Sequence, residues 1–241
     1  MLRDPGPDLH ALKLSRSLIV ALDTPSLAEA NALASRVADS ADALKIGLEL
    51  FVAEGGDAVR TLARVRPVFL DLKLHDIPET VDRAVARVAA LGASLLTVHA
   101  SGGPAMLERA AARAEKEATG LRIVAVTVLT SLDRADLDAM GVARSLEEQT
   151  LALAKMARAA GVSAFVCSPR EVRALREVLG ADALLITPGV RPAGENLGDQ
   201  KRTDTPEGAI AAGADAVVVG RPIRDVADPR AAAERIKSSL S

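Results

Sequence analysis

Hydrophobic residues recur along this chain in two alternating patterns. Short apolar runs of four to six residues are typical of strands that are buried on both faces. Longer stretches rich in Ala, Arg and Glu separate these runs, and their apolar positions recur at helical spacing, as in residues 27–38 and 146–160. The predicted strands span residues 18–22, 43–46, 68–72, 95–98, 123–128, 164–167, 184–187 and 216–219.

Eight strand–helix units without a break in composition predict one parallel, closed sheet. The fold class is therefore α/β, and the predicted architecture is a single (β/α)8 TIM barrel. The length of 241 residues is typical of one such barrel. We expect one domain over residues 1–241, with residues 1–16 as an N-terminal extension. An open, doubly wound sheet is the alternative architecture.

Charged residues stand at the ends of the first three predicted strands, where the catalytic groups of such barrels lie. Asp23 follows the first strand, Lys45 lies in the second, and the third continues through Asp71 and Lys73. Side chains alternate along a strand, so Asp71 and Lys73 are expected to point together into the barrel mouth. His99 ends the fourth strand and is interpreted as a structural, hydrogen-bonded histidine.

The use of lysine at these strand ends favours proton transfer. Only seven of the 30 basic residues are Lys, yet two of those seven stand at the ends of adjacent strands. Lys can give up a proton near neutral pH in suitable surroundings, whereas Arg cannot. An ion pair that only fixes the barrel mouth is the alternative. The further charges of Asp23, Lys45 and Asp76 favour a functional site over that alternative.

The ends of the last two predicted strands favour phosphate binding, because loops at this place commonly hold phosphate in such barrels. Strand seven leads into Arg191 and a polar loop over residues 193–205, whose length suggests a lid. Strand eight ends at Gly220, where backbone N–H groups can approach an anion, and at Arg221, which can bind it in a forked geometry. Gln200 adds a neutral donor. The alternative is an ordinary turn with a solvent-facing arginine.

Composition narrows the possible functions. The chain has no Trp or Tyr and only three Phe, so a site that stacks a base between aromatic rings is not expected. A net charge of −2 gives no general attraction to nucleic acid or anionic lipid. Cys167 is the only cysteine, which excludes an intramolecular disulfide and suits a reducing compartment. Without a membrane-length apolar run or a signal-peptide core, the chain is expected to be cytoplasmic.

These motifs together resemble the bacterial orotidine 5'-phosphate decarboxylase family. The similarity follows the family's order from Asp23 to Arg221, and its most specific part is the run Asp-Leu-Lys-Leu-His-Asp-Ile-Pro-Glu-Thr at 71–80. Val-Thr-Val-Leu-Thr-Ser ending at Ser131, Thr-Pro-Gly-Val-Arg ending at Arg191 and Val-Gly-Arg-Pro at 219–222 add support. The resemblance implies conversion of orotidine 5'-phosphate to uridine 5'-phosphate in de novo pyrimidine biosynthesis.

The resemblance also implies catalytic roles. Lys73 would stabilise and protonate a C6 carbanion within an alternating array of Lys45, Asp71, Lys73 and Asp76. Asp76 would come from the partner subunit of a homodimer whose sites are shared across the interface. The carbanion lies in the plane of the ring, so no electron sink is available and electrostatic stabilisation remains. We therefore expect neither a metal nor an organic cofactor.

Binding roles follow from the same resemblance. Asp23 and Lys45 would hold the ribose, with Thr80 helping from across the interface. Either Thr130 or Ser131 would contact the pyrimidine. The 5'-phosphate would be gripped by Arg191, Gln200, Gly220 and Arg221.

Two other functions remain open. A sugar-phosphate decarboxylase or aldolase-like barrel of the same suprafamily would share the Asp-x-Lys-x-x-Asp spacing of residues 71–76 but would bind Mg2+. A catalytically silent nucleotide-phosphate sensor would keep Arg221 and Gln200 but would not need Lys73 among carboxylates. The full run at 71–80 favours the decarboxylase.

Overall fold

The described residues form a closed barrel of eight parallel strands, paired in the order in which they occur along the chain. The computed structural model describes Leu12, residues 14–191 and residues 204–241. The strands are β1 (Ser17–Ala21), β2 (Ala43–Ile46), β3 (Val68–Leu74), β4 (Leu95–His99), β5 (Arg122–Val126), β6 (Ala164–Val166), β7 (Leu184–Thr187) and β8 (Ala216–Val219). Val20 of β1 aligns with Leu44 of β2 on one side and with Val219 of β8 on the other. This closure confirms the TIM barrel and excludes the open sheet.

Helices surround the sheet on its outside. In chain order they are α1 (Leu27–Val37), α2 (Leu48–Glu54), α3 (Gly56–Leu62), α4 (Pro78–Ala89), α5 (Pro104–Glu117), α6 (Arg134–Ala139), α7 (Leu146–Ala159), α8 (Val172–Leu179), α9 (Pro206–Ala211), α10 (Arg221–Arg224) and α11 (Pro229–Ser239). Single 3-10 turns occupy Ala100–Gly102 and Pro169–Glu171. Among the described residues, no helix has both the length and the apolar character needed to cross a membrane.

All eight predicted strands are present, and two of them end two residues away from the expected position. β3 continues to Leu74, which pairs with Val98 of β4 after a register shift that begins at Leu70. β5 stops at Val126, although the apolar run continues to residue 128. The ladder to β6 ends at the pair of Val126 with Val166, and the hydroxyl of the next residue, Thr127, donates a hydrogen bond to the carbonyl of Val166 at 3.2 Å. Hydrophobicity located the strands, whereas pairing geometry set their ends.

Side chains alternate between an inner and an outer core, as the period of a strand requires. Ile19 and Phe69 belong to a cluster inside the barrel. Their neighbours Leu18 and Leu70 face the opposite way, into the layer between the sheet and the helices. This alternation directs every second residue of a strand into the barrel, and at the carboxyl ends of β2, β3 and β4 those residues are polar.

Part of the predicted N-terminal extension belongs to the packed structure. Leu14 is 9% exposed and joins the inner cluster, and Leu12 packs against the same cluster. Both precede β1, so they contact the barrel interior from the side where that strand begins. The assignment of residues 1–16 to an extension stays a prediction, because residues 1–11 and 13 lie outside the described part.

Local sequence sets the limits of α7, which confirms the helix predicted over residues 146–160. Ser145 and Glu148 form a capping box, in which the Ser145 side chain accepts from the Glu148 amide and the Glu148 carboxylate accepts from the Ser145 amide. After the helix, Gly161 has φ +88°, a left-handed conformation that L side chains rarely adopt. Four other glycines near helix ends also have positive φ: Gly92, Gly120, Gly180 and Gly213.

Candidate active site

A cleft of about 530 Å³ opens at the carboxyl ends of the strands. Its volume lies within the range of small-molecule sites, and its position is the one used for catalysis in barrels of this type. The predicted site residues that line it are Asp23, Lys45, Asp71, Lys73, Thr130, Ser131, Arg191, Gly220 and Arg221. The structure therefore brings residues from both predicted ends of the site, the charged and the phosphate end, around one cavity.

Asp23, Lys45, Asp71 and Lys73 form a continuous row of alternating charges across this cleft. Nζ of Lys45 lies 2.8 Å from Oδ1 of Asp23 and 3.9 Å from Oδ2 of Asp71. Nζ of Lys73 donates to both carboxylate oxygens of Asp71, at 2.8 and 2.9 Å. The side chains of Lys45 and Asp71 are only 12% and 16% exposed. Pairing offsets the cost of removing these charges from water.

An irregular backbone presents Lys73 to the cleft. Lys73 has φ +50°, which is strained for a residue with a side chain, and it lies within the register shift between Leu70 and Leu74. Its N–H donates at 2.8 Å to the side chain of Thr97 on the neighbouring strand β4. This irregularity is a β-bulge, in which the Thr97 side chain accepts the hydrogen bond that a backbone carbonyl of the sheet would otherwise accept. The bulge therefore sets the direction of the Lys73 ammonium group.

Thr97 is a site residue that sequence reasoning missed. Its hydroxyl accepts from the Lys73 N–H and donates to Oδ1 of Asp71 at 3.0 Å, so one buried group fixes both members of the ion pair. The signal that could have found it is alternation. Thr97 lies two residues after Leu95, which points into the barrel, and the same period carries the inward face on to His99.

Gly47 allows Asp23 and Lys45 to meet. A Cβ atom added at this position would lie 2.8 Å from Oδ1 of Asp23 and 3.0 Å from Nζ of Lys45. Any side chain here would push one of those groups aside, and both are charged and paired. Glycine at this position therefore leaves the space in which Asp23 and Lys45 pair as they do here.

His99 lies beside the charged row. Its half-buried ring contacts the ring of His75, with centroids 5.5 Å apart. Among the described residues, this ring contact is found where a hydrogen bond was expected. Burial lowers the pKa of His99 below its ordinary value of 6.5, and the neighbouring charges of His75 and Lys73 lower it further. The imidazole is therefore neutral at pH 7 and adds no third positive charge next to Lys73.

The cleft carries more positive than negative side chains. The described residues that line it include five Lys or Arg side chains and two Asp side chains, although the whole chain carries a net charge of −2. Arg191 and Arg221 lie there, in the segments that follow β7 and β8. Positive charge concentrated in a cleft raises the local concentration of anionic ligands. Gln200 and most of the predicted lid, residues 193–203, lie outside the described residues.

Asp76 and Thr80 are not among the residues that line this cleft. Asp76 is exposed, and its carboxylate accepts a hydrogen bond from the Ile77 amide at 2.6 Å. Thr80 lies in the first turn of α4, and its amide donates to the carbonyl of Ile77. Within one chain, these two residues are therefore separate from the row of charges.

The described residues contain no group of three or more His, Cys, Asp or Glu side chains arranged to hold a metal ion. The two carboxylates of the cleft, Asp23 and Asp71, each contact a lysine ammonium group within 3.0 Å.

Arg224 is a second residue of the cleft that was not predicted from the sequence. It lines the cleft and contacts the backbone of Asp23.

Comparison with known proteins shows similarity over almost the whole chain. Residues 16–236 match the family model described as orotidine 5'-phosphate decarboxylase / HUMPS family. The orotidine 5'-phosphate decarboxylase of Anaeromyxobacter sp. (strain K) is 54% identical over 230 residues, which covers 95% of this chain and 100% of that relative. The enzyme of that name from Moorella thermoacetica is 48% identical, with 92% of this chain and 91% of the relative covered.

A solved structure shows the same likeness in three dimensions. The crystal structure of orotidine 5'-phosphate decarboxylase from Lactobacillus acidophilus superposes with a TM-score of 0.82 at 38% sequence identity. The superposition covers 94% of this chain and 100% of that chain.

Thr97→Val should destabilise the protein by about 1–3 kcal/mol, because it removes the acceptor for the Lys73 N–H and a donor to Asp71 while keeping the shape. Thr97→Ser keeps the hydroxyl and removes one buried methyl group, so it should cost only about 0.8 kcal/mol. Urea unfolding measures both. A Val variant at least as stable as the Ser variant would show that the hydroxyl does not hold the bulge.

Proposed function

The chain belongs to the orotidine 5'-phosphate decarboxylase / HUMPS family, and we propose that it converts orotidine 5'-phosphate to uridine 5'-phosphate in pyrimidine biosynthesis. The observation that carries this proposal is the pairing of Lys73 with Asp71 in a row of alternating charges at the cleft. Two curated relatives with this activity in their names match more than nine-tenths of the chain.

The charge of the cleft supports a substrate with two separate anionic groups. Arg191 and Arg221 supply positive charge at the ends of the last two strands, where such barrels hold phosphate. Lys73 supplies positive charge on the other side, on β3. A nucleotide with a 5'-phosphate and a ring carboxylate offers one anion to each of these regions. Gln200, predicted to add a phosphate contact, lies outside the described residues.

The positions of the remaining lining residues support the binding roles. Asp23 and Lys45 contact each other at 2.8 Å between the two charged regions, where a ribose would lie. Thr130 and Ser131 line the cleft in the segment after β5, where either hydroxyl can contact the polar edge of a pyrimidine. Gly220 lies at the start of α10 and lets backbone N–H groups face the phosphate.

Lys73 would act twice in the reaction. Loss of CO2 leaves an electron pair at C6 in the plane of the ring, where the π system cannot delocalise it. A fixed ammonium group stabilises the developing charge without reorganisation, since the bulge and Asp71 already orient it. The same ammonium group then donates its proton to C6, which completes the product.

Asp71 would orient the ammonium group and act on the substrate carboxylate. Both of its oxygens bind Nζ of Lys73, so the lysine is fixed before substrate arrives. A substrate carboxylate placed next to Asp71 would be repelled in the ground state, and this repulsion disappears when CO2 leaves. Binding of the distant phosphate supplies the energy that holds the substrate against this repulsion.

We further propose that the reaction uses neither a metal nor an organic cofactor. The support is the donor set, because Asp23 and Asp71, the carboxylates that line the described part of the cleft, are each paired with a lysine. Cys167 is buried and in no disulfide, which is consistent with the reducing cytoplasm, where we expect the enzyme to act. The absence of nucleic-acid and membrane partners stays a prediction.

The purified protein should decarboxylate orotidine 5'-phosphate at the same rate with and without excess EDTA, because the charge stabilisation comes from lysine. The ultraviolet change of the pyrimidine measures the rate. No conversion by folded protein would contradict the proposed activity. Loss of activity on chelation, restored by Mg2+, would instead support the sugar-phosphate alternative.

Lys73→Ala should lower turnover by about 10³-fold or more, because it removes both the charge and the proton donor. Uridine 5'-phosphate should still bind, since Arg191 and Arg221 remain. Arg221→Ala should mainly raise KM, because it removes binding energy distant from C6. Lys155→Ala, at an exposed position on α7, is the matched control. Near-normal turnover in Lys73→Ala would refute the assigned role.

We also propose a homodimer in which Asp76 and Thr80 complete the partner's site. Asp76 lies beyond the end of β3, is exposed, and does not line the cleft of its own chain. Ile77 beside it is 66% exposed, which suits contact with a second copy of the chain. A two-fold contact is isologous, so each chain would give and receive the same residues.

Refolding an equal mixture of Lys73→Ala and Asp76→Ala chains should recover about a quarter of wild-type activity. Half of the dimers are then mixed, and each mixed dimer has one site with both changes and one site with neither. Each variant refolded alone, nearly inactive, is the control, and a tag on one chain verifies that subunits exchange. Verified mixed dimers without activity would place Asp76 outside the shared site.

A further inference from the structure

The guanidinium group of Arg224 connects the segment after β8 with the segment after β1 at the cleft. Its Nη1 donates to the backbone carbonyl of Asp23 at 2.6 Å, across 201 residues of sequence. Its Nε and Nη2 donate to the two carboxylate oxygens of Asp225, at 2.6 and 3.0 Å. All three nitrogens are therefore engaged, although the residue also lines the cleft.

The carbonyl of Asp23 lies past the last residues of β1 that pair with the neighbouring strands. The last aligned pair between β1 and β8 is Val20 with Val219, and the last between β1 and β2 is Ala21 with Lys45. The backbone bond from the Leu22 amide to the Lys45 carbonyl follows, one residue before Asp23. Arg224 supplies the next fixed contact, so the backbone that carries the Asp23 carboxylate is held by a side chain.

The same arginine is rigidly joined to the predicted phosphate end. Its amide donates to the carbonyl of Gly220 at 2.9 Å, and the Asp225 amide donates to the carbonyl of Arg221 at 2.9 Å. A Cβ atom at Gly220 would lie 3.7 Å from Oδ2 of Asp23, so this turn and that carboxylate are direct neighbours. Arg224 therefore spans from the turn that carries Arg221 to the residue that pairs with Lys45.

We propose that Arg224 is a positioning residue, which aligns the Asp23 carboxylate with the phosphate-binding turn so that one nucleotide can contact both. This inference rests on the proposed function, because it assigns Asp23 to the ribose and Arg221 to the phosphate. Arg224 acts through Asp23 and does not bind the phosphate itself.

Its charge state supports this division of labour. Hydrogen bonds to the Asp225 carboxylate raise the pKa of Arg224, and the guanidinium group lowers the pKa of Asp225. The pair therefore stays ionised around neutral pH, and the positive charge of Arg224 is balanced by its neighbour. Arg221, at the first position of the same short helix, is exposed and also lines the cleft.

A double-mutant cycle tests whether Arg224 acts through Asp23. Binding of uridine 5'-phosphate is measured by calorimetry for wild type, Arg224→Met, Asp23→Ala and the double variant. Arg224→Met should weaken binding about tenfold in the wild-type background, within the coupling range of residues in contact. In the Asp23→Ala background, where no carboxylate remains to be aligned, the same change should weaken binding less than about twofold.

Two results would overturn the inference. An equal loss in both backgrounds would mean that Arg224 attracts the phosphate directly or supports the fold in general. No loss in the wild-type background would mean that Asp23 is aligned without it. A wild-type protein that binds no uridine 5'-phosphate would instead contradict the proposed function, which is a distinct outcome.

Structural and rescue measurements keep the inference testable in every case. The crystal structure of Arg224→Met should show Asp23 displaced from Lys45, whose present separation is 2.8 Å, and an unmoved Asp23 would overturn the inference even without ligand binding. Arg224→Lys keeps the charge and one donor group, so it should recover part of the affinity that Arg224→Met loses. It also replaces Arg224→Met as the test variant if that variant does not fold. Arg230→Met, which breaks an exposed pair with Glu234, is the control and should bind like wild type.

Discussion

The structure of the cleft depends on the mutual neutralisation of four charges at the open end of the barrel. Lys45 and Asp71 lose most of their contact with water, and neither would be tolerated there alone. Alternation of sign along the row gives each inner charge an opposite neighbour on both sides. The ends of β1, β2 and β3 are thereby fixed relative to one another, because each contributes a member that the others require.

One member of this row of charges, Lys73, has a strained backbone conformation. Lys73 adopts a left-handed backbone conformation, at a cost of about 1–2 kcal/mol for a residue with a Cβ atom. The hydrogen bond to Thr97 and the two contacts with Asp71 hold it in this conformation. An ammonium group oriented before substrate arrives needs no rearrangement when charge develops, and this is the condition under which electrostatic stabilisation is most effective.

The two functional regions meet at the seam where the last strand closes against the first. Arg221 follows β8, and Asp23 follows β1, so strand pairing alone brings their segments close. Pairing ends before either residue, however, and the connection passes to side chains, above all to Arg224. Barrel closure thus supplies proximity, while a few polar contacts supply the alignment that a ligand spanning both regions needs.

Alternation and composition were sufficient to predict the strands, the barrel and the inward direction of Asp71 and Lys73. These features are local, because a strand has a period of two and each side chain's face follows from its position. The same rule applied to β4 would have revealed Thr97, which was overlooked because a single hydroxyl in an apolar run carries no charge signal.

Other features were decided only in three dimensions. The positive φ of Lys73 accompanies a register shift between β3 and β4, which is a relation between two strands. The bond from Arg224 to Asp23 joins residues 201 positions apart, and it exists only after the barrel has closed. The sequence determined which strand residues point into the barrel, since the direction of a side chain follows from its position along a strand. Tertiary structure decided which of them touch, since contact depends on how separate strands are brought together.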